Sequence, residues 1–234
     1  MSITKLSKNE IKEINKLYLA KYRKETKTFI ALGPHLNSEA KVAKVLLKTY
    51  TTSPLYEGIL ISEDDMKKIT KTDTPTTVLS ICEILEKTKL SKKVLVLDAV
   101  QDPGNMGTLL RSAKAFSFDT IFLGEGCVDI YNDKVIRASQ GAIFKLNFLR
   151  GNISDFIKNN KDKYAFYGTS VKNGVTPDEI ETKYPLALIL GNEGSGVKEE
   201  ILDLTFKNIY IPLSNTESLN VAVAGGILMY LLCL

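Results

Sequence analysis

The chain has 234 residues, of which 44% are hydrophobic and 25% charged, with a net charge of +4. This is the composition of an ordinary globular protein, and no apolar run reaches the roughly 18–20 residues that a membrane-spanning helix needs. The basic N-terminus lacks the apolar core of a secretion signal, so we expect a cytoplasmic protein that does not act at a membrane.

The excess positive charge lies at the N-terminus, where the first 27 residues hold eight basic and three acidic side chains. Ser7 and Glu10 have the spacing of a capping box, and apolar residues then follow at helical intervals. This basic helix is either a solvated face or a face that meets RNA phosphates. Lys12, Lys16 and Arg23 are the candidate RNA contacts.

A small α/β unit is predicted over residues 1–78. After the first helix come the strand TFIALG, the helix NSEAKVAKVLLKTY, the short strand YEGILIS and a helix, SEDDMKKIT, capped by Ser62. TDTPTT has the composition of a loop. SICEILEKTKLSKK is interpreted as the passage into the second half, with residues 79–91 as linker.

From Val94 onward, strands and helices alternate, and we assign residues 92–234 to a second domain. The apolar runs VLVLDAV, TIFLG, YAFYGT, LALILG and NIYIPL suit the strands of a parallel sheet that is covered on both faces. The segments NMGTLLRSAKAFS, DKVIRASQGAI, SDFIKNN, VKEEILDLT and SLNVAVAGGILMYLLC are predicted to be helices.

Cysteine and histidine chemistry is not indicated. Cys82, Cys127 and Cys233 are widely spaced and lie in apolar surroundings, so we expect buried thiols rather than disulfides or zinc ligands. His35 has no second histidine to pair with. We therefore expect no metal site.

Three junctions at the ends of predicted strands carry unusual residues. DPGNMGTLLR contains Asn105 and Arg111, LGNEGSG surrounds Glu193 with glycines, and SNTESLN brings Ser218 and Asn220 to the start of the last helix. Ligands of open α/β sheets bind at the carboxyl ends of the strands. Taken singly, the junctions could be a helix cap, a surface arginine and a flexible glycine turn; their ordered succession favours a ligand site.

This ordered set resembles the SpoU/TrmH branch of the SPOUT RNA methyltransferases. The matching motifs are Asn-x-Gly-x-x-x-Arg at 105–111, Gly-x-Glu-Gly-x-Gly at 191–196, and Ile211-Pro212 followed by Ser-Leu-Asn at 218–220. VIRASQGAIFKLNF also looks like the segment between the first two motifs. The first half looks like the family's ribosomal-protein-like RNA-binding extension, although Leu32 stands where an acidic residue is common.

The resemblance implies a fold, a cofactor and a reaction. The expected fold class is α/β: a parallel sheet flanked by helices with a C-terminal trefoil knot, plus the small N-terminal α/β RNA-binding domain. The cofactor is S-adenosylmethionine, and the acceptor is a ribose 2′-hydroxyl of structured RNA. A homodimer through the last helix and the helix of Arg111 is also implied.

The same resemblance assigns residues to roles. The implied catalytic residues are Asn105, Arg111, Glu193, Ser218 and Asn220. The implied cofactor-binding residues are Thr169, Leu190, Gly191, Asn192, Gly194, Ile211, Leu213 and Leu219.

Ribosomal (23S) RNA is the expected substrate because a separate N-terminal unit is present. Three alternatives stay open: 2′-O-methylation of transfer RNA, a catalytically silent RNA-binding or ribosome assembly factor, and a small-molecule binding protein. The nucleotide and the exact role of Arg111, as base or as positioning group, are not indicated by the sequence.

Overall fold

A computed structural model of the chain describes residues 3–72, 75–85, 89–170 and 174–233. The chain divides into two compact units, which we describe separately. The first unit comprises Met1–Leu85 with Asp129–Phe144, and the second comprises Glu86–Val128 with Lys145–Leu234.

The α-helices are α1 Lys8–Lys16, α2 Ala20–Thr26, α3 Pro34–Val42, α4 Glu63–Ile69, α5 Pro103–Ala115, α6 Asp133–Ser139, α7 Ile153–Asn160, α8 Glu199–Leu202 and α9 Val221–Leu231. The strands are β1 Thr28–Leu32, β2 Leu46–Thr51, β3 Ile59–Leu60, β4 Val78–Glu83, β5 Lys93–Leu97, β6 Thr120–Leu123, β7 Asn147–Arg150, β8 Ala165–Thr169, β9 Leu186–Leu190 and β10 Lys207–Ile209. Two short 3₁₀ helices cover Ala142–Phe144 and Pro177–Glu179.

The first unit is a four-stranded sheet in the order β1-β4-β2-β3, with helices packed against it. The predicted caps are present: the Ser7 hydroxyl and the Glu10 carboxylate form both halves of a capping box, and Ser62 accepts from the backbone N–H of Asp65. The basic segment 7–24 is not one helix, however, because Leu19 is extended and separates α1 from α2.

Two predictions for the first unit are wrong in detail. The helix predicted to run through KTY ends at Val42, because Lys44 takes a left-handed conformation (φ 59°) and the next residues form β2. Residues 79–83, expected to be linker, belong to β4, which pairs antiparallel with both β1 and β2. Residues 86–88 of the expected linker lie outside the described residues.

Residues 129–144, expected within the second domain, pack in the first unit. The Phe29 ring lies 4.8 Å from the ring centre of Tyr131 and 6.0 Å from that of Phe144. Contacts between α6 and β1 add to this packing. The predicted domain boundaries at 78/79 and 91/92 therefore do not match the units of the folded chain, because the first unit is built from two separate stretches of the sequence.

The second unit is a six-stranded parallel sheet in the order β10-β8-β9-β5-β6-β7. The predicted parallel sheet is thus confirmed, although β7 was not predicted. Alternate residues of β5 face opposite sides of the sheet, and helices cover both sides. Val94 and Val96 lie in a core with Phe156 of α7 and Ile201 of α8, while α5 and α9 pack together and α9 also contacts β9.

Strand order places a switch point at the centre of this sheet. From β5 the chain first adds β6 and β7 on one side and later β8, β9 and β10 on the other. The loops that leave β5 and β9 therefore diverge at the carboxyl edge, where such sheets bind ligands. No helix among the described residues is long and apolar enough to cross a membrane. The knot stays a prediction.

Candidate active site

Three of the predicted site residues are hydrogen-bonded to one another at the carboxyl edge of the second unit. The Nδ2 of Asn105 donates to the Oε1 of Glu193 at 3.2 Å. The Nδ2 of Asn220 donates to the Oδ1 of Asn105 at 2.9 Å. These contacts join residues that are 88 and 115 positions apart in the sequence. All three strand-end motifs thus meet at Asn105, which belongs to the first motif, donates to Glu193 of the second and accepts from Asn220 of the third.

Helix starts position the two asparagines. Asp102 caps α5 by accepting from the backbone N–H of Asn105 at 2.7 Å. Asn220 caps α9, its Oδ1 accepting from the backbone N–H groups of Ala222 and Val223. The backbone of Asn105 and the side-chain oxygen of Asn220 are therefore held by local structure, while the Nδ2 of each residue donates across the site. An N-cap asparagine that also bridges to another element is doubly restrained.

The loop after β9 is closed upon itself. Asn192 and Gly196 exchange two backbone hydrogen bonds of 3.0 and 2.9 Å. A side chain at Gly191 would collide with the backbone of Gly196 and Val197, so only glycine fits there. The Nδ2 of Asn192 also donates to the carbonyl of Ala99 at 2.9 Å. This loop is consequently fixed against the turn that follows β5.

Sequence inspection missed two acidic residues at this edge. The backbone N–H of Asp102 donates to Glu193 at 3.3 Å, so this helix cap also orients the central carboxylate. Asp98 is buried, and its carboxylate accepts from the backbone N–H of Lys198, the cap of α8. The signal for Asp102 was the Asp-Pro pair at the start of α5. Proline favours the first helical position, so the residue before it is expected to be the N-cap.

The turn after β5 is conformationally unusual. Ala99 has a positive φ of 54° although it carries a side chain. Such a backbone costs about 1–3 kcal/mol and persists where the surroundings impose it. Here the Asn192 contact to the Ala99 carbonyl and the Asp98 N–H bond to Leu190 hold the turn.

Arg111 lies on α5 but not in this hydrogen-bonded set. It follows Asn105 by six positions, which places it about 120° away around the helix axis. Its side chain is exposed, and within the described ranges it has no hydrogen bond and no ion pair. The guanidinium is therefore available to a ligand or to a second chain.

The remaining predicted residues surround the same edge. Ser218 is exposed, and Thr169 ends β8 with its hydroxyl donating to the carbonyl of Ile189. Leu190 is buried beside the position of Gly225. Gly194, Ile211, Leu213 and Leu219 lie in the two coil segments that follow β9 and β10.

The main chain of the segment after β10 is largely uncommitted. Within the described residues, the backbone N–H groups of Ile211, Leu213 and Leu219 donate to no backbone carbonyl. Free main-chain donors and acceptors beside a glycine-rich loop can form hydrogen bonds with the polar edge of an adenine, while apolar side chains pack against its faces. These residues therefore fit the S-adenosylmethionine that the resemblance implies. No group of metal-binding side chains occurs in the part of the chain that the structure describes.

The predicted RNA contacts on the first unit have different fates. Lys12 is exposed. Lys16 pairs with Glu13 at 2.7 Å and lies over the ring of Tyr22. Arg23 is only 4% exposed.

The expectation that Arg23 contacts RNA is wrong for this structure. Its guanidinium donates to the Leu17 carbonyl at 2.8 Å and to the Asp129 carboxylate at 2.6 Å. Both partners belong to the first unit, so this arginine makes its contacts inside that unit and not with RNA.

Comparison with known proteins agrees with the geometry. The model of the SpoU rRNA Methylase family matches residues 92–230. The chain belongs to this family. The 23S rRNA (guanosine(2553)-2′-O)-methyltransferase RlmP of Bacillus subtilis is 40% identical, with 96% of each chain covered.

Solved structures are similar over the whole chain. An AdoMet-bound rRNA methyltransferase from Sinorhizobium meliloti has a TM-score of 0.87 at 27% identity, covering 98% of this chain and 96% of its own. An RNA 2′-O ribose methyltransferase has a TM-score of 0.82 at 27% identity, with 99% and 98% covered. The family, the fold class and the cofactor predicted from the sequence are confirmed.

Proposed function

We propose that this chain transfers the methyl group of S-adenosylmethionine to a ribose 2′-hydroxyl of 23S ribosomal RNA. The observation that carries the proposal is the hydrogen-bonded set of Asn105, Glu193 and Asn220, which unites all three strand-end motifs at the switch point of the sheet. The Bacillus subtilis relative is named for this reaction at guanosine 2553. The corresponding guanosine is therefore the first position to examine.

The cofactor site is assigned to main-chain groups and glycines. Gly191, Asn192 and Gly194 would form one wall, and Ile211, Leu213 and Leu219 the other, with Thr169 and Leu190 at the strand ends. Bound S-adenosylmethionine supplies a methyl group activated by a sulfonium. The loop from Asn192 to Gly196 is already closed by two backbone hydrogen bonds, so we expect it to need little ordering when the cofactor binds.

The chain must align the ribose oxygen and stabilise its developing charge. Alignment of two bound reactants can lower a barrier by up to about 7–11 kcal/mol. Asn220 and Ser218 offer amide and hydroxyl groups to hold the ribose. The guanidinium of Arg111 stabilises the negative charge that develops on the ribose oxygen as its proton passes to solvent water. Arginine keeps its own proton, so we assign it a positioning and electrostatic role rather than that of a base.

A homodimer would bring Arg111 to the site. The stripe of Val223, Ile227 and Tyr230 on α9 is exposed at 51%, 37% and 51%. These residues lie at positions i, i+4 and i+7, which form one face of a helix. On α5, Thr108, Arg111 and Ala115 are also exposed. We propose that this α5–α9 face pairs with a second copy, and that Arg111 enters the partner's site.

Mixing two variants of low activity tests this arrangement. Arg111→Ala and Glu193→Gln chains, unfolded and refolded together, form mixed dimers in which one site has both an intact Glu193 and the partner's intact Arg111. Recovery of up to about a quarter of the wild-type rate is expected from statistical mixing with one such site. If Arg111 acted within its own chain, the mixture would show only the mean of the two low rates that the variants have alone.

The RNA class is tested in cells. Mass-spectrometric mapping of ribose methylation, with and without the gene for this protein, should show one 2′-O-methyl group lost from 23S RNA. Loss from transfer RNA instead would establish the tRNA alternative. An unchanged methylation pattern, with S-adenosylmethionine still bound in calorimetry, would contradict the proposed reaction.

A further inference from the structure

A cavity opens at the edge of the same sheet opposite to the candidate active site. It has a volume of about 400 Å³ and lies at the amino ends of β8 and β9, beside the residues that lead into β10. A five-residue strand at about 3.3 Å per residue separates this edge from the candidate active site by roughly 13 Å. The cavity belongs entirely to the second unit. None of the predicted site residues lines it.

The cavity is rich in uncompensated positive charge. Lys161, Lys163 and Lys183 line it, with Asp162 as the single acidic side chain of the lining. Among the described residues, none of the three ammonium groups lies within 4.0 Å of a carboxylate. Elsewhere in the second unit, Lys114 does pair in this way, with Asp119 at 2.7 Å. A concave surface with three unpaired lysines attracts anions.

Two aromatic rings stand exposed at the same place. Tyr184 is 51% exposed although its hydroxyl is held by the carbonyl of Leu232 at 2.6 Å. Phe206 is 46% exposed, with the ammonium of Lys183 at 4.5 Å from its ring centre and the Tyr167 ring at 5.9 Å. Both rings are thus fixed by neighbouring groups while a large part of their surface faces solvent.

The backbone around these rings is also fixed. The N–H of Phe206 donates to the carbonyl of Phe166 at 2.8 Å, and the N–H of Lys183 donates to the hydroxyl of Tyr167 at 3.0 Å. Fixed aromatic rings next to lysines are the groups that bind single-stranded nucleic acid, because bases stack on the rings and phosphates meet the cations.

We propose that this cavity binds an unpaired segment of RNA, with a base against Phe206 or Tyr184 and its phosphates at Lys161, Lys163 and Lys183. The proposal rests on the proposed function for the presence of RNA, and it adds an RNA contact remote from the methylated ribose. The ligand chemistry is a base joined to a phosphate. A free mononucleotide shares that chemistry, so the test separates the two sources.

Charge is tested by fluorescence anisotropy with a 5′-labelled, unstructured 12-nucleotide RNA. Lys163→Gln combined with Lys183→Gln should weaken binding and lower the slope of log affinity against log salt by about 1.4, at about 0.7 for each phosphate contact. The matched control is Lys89→Gln with Lys145→Gln, which removes two charges from the same unit outside the cavity. Equal slopes for the two double variants would overturn the proposal.

Stacking is tested at Phe206, with both variants keeping an apolar body at that position. Phe206→Leu should lower RNA affinity by about 5-fold or more, because it removes a stacking surface, whereas Phe206→Tyr should retain wild-type affinity. Equal losses in the two variants would mean that the ring does not stack on a base.

Methyl transfer separates this proposal from the proposed function. The Lys163/Lys183 variant should keep its affinity for S-adenosylmethionine and its kcat, while KM for RNA rises. Wild-type protein that binds no RNA would contradict the proposed function itself. Wild-type protein that binds RNA as tightly as the variant would contradict only the cavity assignment. Binding of AMP alone as tight as that of the strand would make the cavity a free-nucleotide site and overturn its assignment to RNA.

Discussion

The two units contain similar polar contacts that serve different purposes: those of the first unit are buried, and those of the second lie at the surface. In the first unit, Arg23 is buried with its bonds to the Leu17 carbonyl and Asp129, and the amide of buried Asn37 donates to two hydroxyl groups. In the second unit, the bonds from Asn105 to Glu193 and from Asn220 to Asn105 lie at the surface. Buried polar contacts satisfy groups that would otherwise lack partners. Exposed ones hold groups in place for a ligand.

The largest effect is expected at Arg111. Arg111→Ala should lower kcat about 10²–10³-fold, the effect typical of removing one group that stabilises developing charge. Affinity for S-adenosylmethionine should stay within a few-fold, and the exposed helical position tolerates alanine. Lys114→Ala on the same helix is the control. Wild-type turnover in Arg111→Ala would remove this residue from the mechanism.

The ion pair of Arg23 and Asp129 in the first unit should affect stability instead. Arg23→Ala removes the guanidinium from the partly exposed Asp129 carboxylate, and the loss of a hydrogen bond to a charged group costs about 1.5–3 kcal/mol. Urea unfolding measures the loss, with exposed Lys21→Ala on the same helix as the control. Equal stability of the two variants, together with weaker RNA binding for Arg23→Ala only, would return Arg23 to the RNA-binding face.

A smaller catalytic effect is expected for Glu193→Gln. The carboxylate accepts from the Asp102 backbone, the Asn105 amide and the Asn192 amide, and a glutamine would turn an N–H₂ group toward one of these donors. We expect roughly a 10-fold lower kcat with the fold intact, because one hydrogen bond contributes about 1 kcal/mol and its loss leaves a donor unpaired. Unchanged kinetics would show that this carboxylate is not needed for the site.

The smallest effect is expected at the exposed lysine of α1. Lys12→Ala should lower RNA affinity a few-fold and reduce the salt slope by about 0.7–0.9, as for one phosphate contact. Lys16→Ala should change the RNA affinity and the salt slope less, because Lys16 is already paired with Glu13. The reverse order would mean that the Lys16 pair opens when RNA binds, and no effect from either would make α1 a solvated face.

Local signals in the sequence predicted local structure well. The Ser7 and Ser62 caps, and the near-continuous apolar runs of β5 and β9, depend on neighbours in the chain or on burial on both faces of a sheet. The three strand-end motifs were also visible, because glycine, asparagine and arginine are conspicuous after an apolar strand. Their meeting at one edge followed from parallel topology.

Long-range partners could not be predicted in the same way. The strand β4 pairs with β1 and β2, which lie far from it in the sequence, and most of its residues were interpreted as a linker when taken alone. The role of Arg23 depends on Asp129, 106 positions away. The end of α3 depends on a left-handed Lys44, for which the sequence offers no glycine.

The central claim is that the carboxyl edge of the parallel sheet transfers a methyl group to ribosomal RNA. The most direct measurement is transfer of radiolabelled methyl from S-adenosylmethionine to 23S RNA taken from cells that lack this protein, followed by mapping of the labelled ribose. Wild-type protein should label one ribose 2′-oxygen stoichiometrically, and Arg111→Ala should not. Wild-type protein that binds the cofactor and this RNA yet leaves every ribose unlabelled would contradict the account.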